Sequence, residues 1–210
     1  MTAVVADPAA VAASVRDWLS LVDVVAGCIA CPELAASRTQ VVPGQCPTRS
    51  ASGVGVLLVG EAPGAAEDES GVPFVGKSGQ LLDSLLTEAG LARDQVAVAN
   101  VLKCRPPGNR KPTRAEVTRC RPWLQRQIEL VNPRVLVALG GTAAEWFHGP
   151  GARIAALREA GRAAPLTSDG RVLVVTYHPS AANRFGPGGA PIAALREDLA
   201  TVARLVEELS

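Results

Sequence analysis

The sequence predicts an α/β protein, a three-layer α/β/α fold around a central, mainly parallel four-stranded sheet. Two observations carry this. Four short apolar runs, at 54–59, 96–102, 135–139 and 172–177, alternate along the chain with longer helical patterns. Each run is apolar throughout rather than at every second residue, as in strands buried on both faces. A length of 210 residues suits one such domain. There are no repeats and no clear boundary, so residues 1–210 read as a single unit.

The elements follow in order. Asp7-Pro8 opens a helix, with Asp as cap and Pro at the first helical position. Val11, Val15, Trp18, Val22 and Val25 continue it near helical spacing, and Gly27 ends it. Residues 32–53, rich in Pro, Ser and Thr, read as irregular. The run VGVLLV at 54–59 is the first strand. After the turns GEAPG and PFVG comes a helix over Gly79–Ala89, closed by Gly90. VAVANVL at 96–102 is the second strand, and the loop CRPPGNRKP cannot be helical. Thr113 and Glu116 form a capping box that starts a helix to about Val131, stopped by Asn132-Pro133. VLVAL at 135–139 is the third strand. Gly140-Gly141-Thr142 then turns into a short helix with Trp146 and Phe147. Residues 149–170 read as loop-rich. VLVVTY at 172–177 is the fourth strand, and a Gly/Pro-rich loop leads to a last helix, Ile192–Leu209.

Composition narrows the class. Apolar residues make up 48% of the chain, which is globular usage. No apolar run reaches the roughly 18 residues of a membrane span. The N-terminus has no basic segment followed by an apolar block, so no secretory signal is expected and the cytoplasm is the expected compartment. Net charge is only +1. From Lys103 to Arg126, however, eight basic residues meet one acid, Glu116. Such a run is either a polyanion-attracting patch or a solvated helix face.

The five cysteines are Cys28, Cys31, Cys46, Cys104 and Cys120. In a cytosolic chain they are not read as disulfides. Cys28 and Cys31 form a tight pair and Cys104 and Cys120 a wide one, a set that suits zinc or an iron–sulfur cluster, or else buried thiols. The wide second pair favours iron–sulfur. Cys46 stands apart.

Ligands of open parallel sheets bind beyond the carboxyl ends of the strands. There this chain carries Glu61, Asn100, the GGT turn and His178, with Phe74 in the loop above. Each has a structural use alone: Asn in turns, His-Pro as a bend, Phe as core. Together they match one chemistry. An amide can pair with a base edge, a ring can stack, an imidazole can donate to developing charge, and a carboxylate can hold water.

With these residues in view, the chain resembles the uracil-DNA glycosylase superfamily, most closely family 4, the iron–sulfur type. The resemblance rests on GEAPG at 60–64, Glu67-Asp68, GVPFVGKSGQLL at 71–82, VANVLKCRPPGNRKP at 98–112, YHPS at 177–180 and the cysteine spacing, and covers most of residues 15–180. It implies a monofunctional enzyme that excises uracil from single- or double-stranded DNA and leaves an abasic site. It implies that Glu61 positions water and His178 stabilises charge on the uracil. Asn100 would read the base, Phe74 would stack on it, and Ala62 and Gly64 would shape the pocket. Arg110, Lys111, Ser180 and Arg184 are the residues expected on DNA. Cys28, Cys31, Cys104 and Cys120 are implied to hold a structural [4Fe–4S] cluster. The chain is expected to act as a monomer with no membrane partner.

Three departures bear on this. The run Ala181-Ala182-Asn183-Arg184-Phe185 offers a weak wedge into a DNA stack, so less stably paired substrates are expected to be favoured. Gly64 stands where some relatives place a bulky aromatic, so thymine exclusion is expected either from elsewhere, such as the Glu67 segment, or to be incomplete. A covalently trapping relative carries a nucleophilic His in an inserted basic loop, whereas the loop RPPGNRKPTR has none, so turnover is expected. No lysine is expected at the crevice. The alternative reading is a uracil-DNA-binding protein, non-catalytic or covalently trapping, with a structural metal cluster.

Overall fold

The computed structural model describes residues 4–47, 55–163, 166–185 and 189–209. Its sheet has five strands: β1 (Val56–Gly60), β2 (Ala97–Asn100), β3 (Val135–Leu139), β4 (Leu166–Ser168) and β5 (Arg171–Thr176), in the spatial order β2-β1-β3-β5-β4. The four expected strands are all present and parallel to one another. The fifth, β4, runs antiparallel to β5 and corrects the count of four. Its turn is Asp169-Gly170, with φ of 51° and 78°. Positive φ at both central residues gives the strand-compatible hairpin turn that Asp-Gly favours.

The helices differ from expectation in instructive places. The single helix expected before Gly27 is two, α1 (Pro8–Ala12) and α2 (Trp18–Ala26). Asp17 makes the break, because its carboxylate accepts the Ser20 amide at 2.9 Å and starts a new helix there. A third helix, α3 (Pro32–Ser37), begins at Pro32 in the stretch read as irregular. Next come α4 (Ala65–Ser70), α5 (Lys77–Glu88) and α6 (Arg114–Val131). The capping box at the start of α6 is formed both ways: Glu116 N–H donates to Thr113 Oγ1 at 3.2 Å, and Thr113 N–H donates to Glu116 at 2.8 Å. Asn132, at φ 45°, ends it. Then follow α7 (Gly141–His148), α8 (Ile154–Ala163) in the segment read as loop, α9 (Pro179–Phe185) and α10 (Ala190–Glu208).

Every residue of β1 is buried, and alternate side chains serve opposite layers. Val56 and Leu58 pack with Leu82, Leu85 and Leu86 of α5 and with Leu195 and Leu199 of α10. Leu57 and Val59 pack with Trp18 of α2, Leu124 and Ile128 of α6 and Ala143 of α7. Each such leucine contributes about 1.5–3 kcal/mol of burial. A third cluster joins Leu21, Val25 and Leu34 from the N-terminal helices to Leu102, Trp123, Cys104 and Cys120. The open edge of β2 is covered by the segment around Gln45, whose N–H and C=O both bond Val98 at 2.8 Å. This removes a free strand edge and gives part of the VVPGQC run a role; residues 48–54 lie outside the described set. Among the described residues, no helix is long and apolar enough to cross a membrane.

Candidate active site

Parallel pairing brings the carboxyl ends of β1, β2, β3 and β5 to one edge. Gly60 stands opposite Asn100, and Leu139 opposite Thr176, so Glu61, Asn100, Gly140 and His178 emerge side by side. Two glycines let them approach. A Cβ on Gly60 would sit 2.4 Å from Asn100 Oδ1 and 2.6 Å from Phe74 Cζ, so amide and ring close over bare backbone. A Cβ on Gly140, where φ is 92°, would stand 2.9 Å from the Cβ of His178.

Phe74 has a left-handed backbone, φ 57°, which a bulky residue adopts only when its surroundings demand it. The demand is visible. The Phe74 carbonyl lies against Gly79 in the first turns of α5, where any Cβ would stand 1.7 Å from the oxygen. The ring is thereby set 5.8 Å from the His178 ring, tilted 32° to it.

Glu67 ties this loop to the one before it. Its carboxylate accepts the Gly64 amide at 3.0 Å, the Val75 amide at 3.0 Å and the Gly76 amide at 2.8 Å. One side chain from α4 therefore holds both the GEAPG turn and the PFVG turn, and a Cβ on Gly64 would stand 2.8 Å from Glu67 Oε2, so any larger residue there would displace the carboxylate.

Glu61 is held by Thr142, at the start of α7, whose Oγ1 donates to Glu61 Oε2. Thr142 is buried. In His178 the Nδ1 atom lies 2.8 Å from Ser180 Oγ and accepts the Ser180 amide at 3.1 Å. An Nδ1 that accepts a backbone N–H carries no proton, so the neutral ring bears its proton on Nε2. Asn100 is buried, and its Oδ1 has no hydrogen-bond partner.

These groups line one cavity of about 870 Å³ that includes Glu61, Ala62, Gly64, Phe74, Asn100, Arg110, His178 and Ser180. Lys77 lines it too, against the expectation of a lysine-free crevice, because α5 starts at Lys77 rather than at Gly79. Lys111 does not; it pairs with Glu145 at 3.7 Å. Arg184 lies on α9, and its side chain is outside the described set.

The basic run is less available than its sequence suggests. Arg110 forks onto Glu116 at 2.7 and 2.9 Å and reaches Glu33 at 3.3 Å. The pair holds the Glu116 carboxyl down at about 2. Arg121 stacks over Trp146 at 4.4 Å, and Arg126 donates to the Val15 carbonyl and to Glu129. Lys103 is fully buried. Glu116 was visible within the run and Glu129 lies one turn beyond Arg126, whereas Glu33 and Glu145 come from elsewhere in the chain.

Cys28, Cys31, Cys104 and Cys120 line a second, smaller cavity with Arg38, Lys103, Arg119 and Trp123. Donors point at the sulfurs. Arg38 donates to Cys104 Sγ at 3.1 Å and Trp123 Nε1 to Cys28 Sγ at 3.4 Å. Burial pushes the Cys104 thiol up to about 11 and the Cys120 thiol up to about 12. Among the described residues, no three His, Cys, Asp or Glu side chains gather as ligands of a single ion. Cys46 lies outside this cavity, and burial pushes its thiol up to about 11.

Sequence reasoning missed Thr142, Lys103 and the amide-binding role of Glu67. For Glu67 a signal existed, an acid three residues after a turn glycine; Thr142 acts on Glu61, far away in sequence, and Lys103 reaches back to the carbonyl of Asn100 three residues before it.

Comparison with known proteins agrees with this geometry. The Uracil DNA glycosylase superfamily profile matches residues 47–200. The type-4 uracil-DNA glycosylase of Thermotoga maritima is 43% identical over 155 residues, 73% of this chain and 76% of that one. The type-4 enzyme of Pyrobaculum aerophilum is 40% identical over 181 residues, 80% and 85% of the two chains. The type-5 uracil-DNA glycosylase of the same organism is 31% identical over 207 residues, again 80% and 85%. With the family profile spanning most of the sequence and type-4 relatives aligned over most of their own length, this chain belongs to the uracil-DNA glycosylase superfamily, in its type-4 branch.

Proposed function

We propose that the protein is a monofunctional uracil-DNA glycosylase, which hydrolyses the N-glycosidic bond of uracil in DNA during base excision repair and leaves an abasic site. The observation that carries the reading is the meeting of Glu61, Asn100, His178 and Phe74 around one cavity. Extruding uracil from a duplex costs a few kcal/mol. Stacking on Phe74 returns about 1–3 kcal/mol. The unpartnered Asn100 Oδ1 supplies the selectivity. It is an acceptor awaiting a donor, and uracil offers N3–H there. Cytosine presents a bare N3, which leaves two acceptors facing each other in a buried site, a mismatch of about 1–3 kcal/mol or more.

Bond breaking builds positive charge on the sugar and negative charge on the departing base. The Nε2 proton of His178 meets the base oxygen as that charge grows. Thr142 fixes one oxygen of Glu61, leaving the other to align a water and to favour the cationic sugar. Turnover rather than trapping is supported by the loop after Cys104, which carries no histidine; the two in the chain are His148 and His178. Lys77 lines the cavity at an exposed position, and we assign it to the DNA backbone rather than to covalent attack.

We further infer that the four cysteines hold a [4Fe–4S] cluster. The donor set fits: four sulfurs ring one cavity, and a guanidinium and an indole N–H donate to them. Metal ligation requires thiolates, and a cationic group among the sulfurs draws their protons off. When bound, the cluster supplies a cross-link between the N-terminal helices, the loop after β2 and α6. We read the chain as one domain acting as a monomer on DNA in the cytoplasm.

The test is release of free uracil from single- and double-stranded oligonucleotides. Wild type releases it, and Asn100→Asp loses uracil release by about a hundred-fold or more, as removal of a single transition-state or recognition donor does elsewhere. Borohydride present during turnover traps no protein–DNA adduct. Absence of release from both substrates refutes the enzyme assignment; a borohydride adduct that Lys77→Met abolishes refutes the monofunctional one.

A further inference from the structure

The mechanism above makes no use of Lys103, yet it is 1% exposed and lies between the two sites. It lines the cysteine cavity beside Cys104 and Cys120. Its carbonyl accepts the Val42 amide at 2.8 Å. At the other end, Nζ donates to the backbone carbonyl of Asn100. That is the residue whose side-chain oxygen is left open for a base. A buried ammonium is costly unless an anion lies beside it, and breaking such an arrangement on one side costs several kcal/mol. Here a cluster held by the cage would supply the counter-charge, while the Asn100 carbonyl accepts the hydrogen bond.

We propose that Lys103 is a positioning residue that couples the state of the cysteine cage to recognition of uracil by Asn100. The proposal rests on the functional reading above. If the cage anchors the ammonium and the ammonium anchors the Asn100 peptide, then ligand at one end must stabilise the other. Linkage makes this reciprocal: a base seated on Asn100 protects the cage.

The experiment uses the cluster-loaded full chain. The probe is an oligonucleotide carrying 2′-fluoro-2′-deoxyuridine, whose electron-poor sugar resists cleavage, compared with the same oligonucleotide carrying thymidine there. The readout is the rate at which an iron chelator bleaches the visible absorbance. In wild type the uracil probe slows bleaching about five-fold or more relative to the thymidine control, the lower end of typical coupling. The comparison cancels any shielding by bound DNA itself. Lys103→Met keeps the aliphatic stem and deletes the charge, and brings the ratio to within about two-fold of one. Lys103→Arg keeps the charge and retains a ratio above that of Met. An unchanged ratio in Lys103→Met overturns the proposal. Should the Met variant fail to load or fold, the wild-type ratio still decides: equal bleaching on uracil and thymidine DNA overturns coupling outright. Release of uracil from an ordinary uracil oligonucleotide is measured in parallel. Release without coupling removes only the role of Lys103, whereas no release removes the glycosylase reading itself.

Discussion

The cleft at the strand ends and the cysteine cage both place polar atoms inside an apolar chain, and they dispose of them differently. In the cleft, Asn100 Oδ1 is buried with nothing bonded to it. In the cage, Arg38 and Trp123 already donate to sulfur. The cleft holds an unmet acceptor, which costs stability until a ligand arrives. The cage closes its donors onto its own cysteines and belongs to the third hydrophobic cluster, with Leu21, Leu34 and Trp123. The difference teaches that a buried polar group should be read by its partners and its place: an orphan that lines a cleft points to recognition, a surrounded set to a joint in the fold.

Perturbing each region sharpens that contrast. The largest effect is expected in the cage. Cys120→Ala removes a proposed cluster ligand on α6 and, with it, the proposed joint between α6 and the N-terminal helices. The expected loss is several kcal/mol, a large part of the roughly 5–15 kcal/mol that stabilises a whole domain. Thermal melting together with iron content checks it; a normal melting temperature without iron would break the comparison. In the cleft, Thr142→Val deletes the donor that fixes Glu61 and leaves the core filled. A hydrogen bond to a charged group contributes about 1.5–3 kcal/mol, so kcat falls roughly ten- to a hundred-fold while melting barely shifts. Thr142→Ser restores the hydroxyl and most of kcat. A smaller effect concerns Glu116, at the capping box between the two regions. Its carboxyl is depressed from 4.5 to about 2 by Arg110 first, with the Thr113 amide and hydroxyl adding to it. A depressed carboxyl contributes stability above its unfolded value and loses it as pH falls through the folded one. The contribution is therefore complete above 4.5 and fades towards 2. Glu116→Gln should flatten the acid limb of a stability–pH curve in that window; an unchanged limb would show that the pair adds nothing.

How much of this was legible in the sequence depends on where the partners of each residue lie. Strands β1, β2, β3 and β5 were legible because parallel strands buried on both sides are apolar throughout. Their exits then named Glu61, Asn100 and His178 without any contact information. The capping box at Thr113 was legible because both members lie within one turn. By contrast, β4 and α8 were read as loop. Asp169-Gly170 was a hairpin signal in plain view, but a strand of three residues leaves no alternation to count. The split between α1 and α2 was hidden because valines at helical spacing run across it. Only the Asp17 side chain decides the matter. The basic run from Lys103 to Arg126 misled for the opposite reason. Its acids are Glu116 within the run, Glu33 on α3, Glu145 on α7 and Glu129 at the far end of α6, and through them the fold pairs Arg110, Lys111 and Arg126.

Glu67 leaves a consequence for how a damaged base gets in. Because one carboxylate grips amides from both turns, the GEAPG and PFVG turns are tied to each other. Access is then expected to depend less on these two turns parting than on the substrate. The nucleotide has to do the travelling, and sites that breathe on their own, in loose or unpaired stretches, will be the first to reach it.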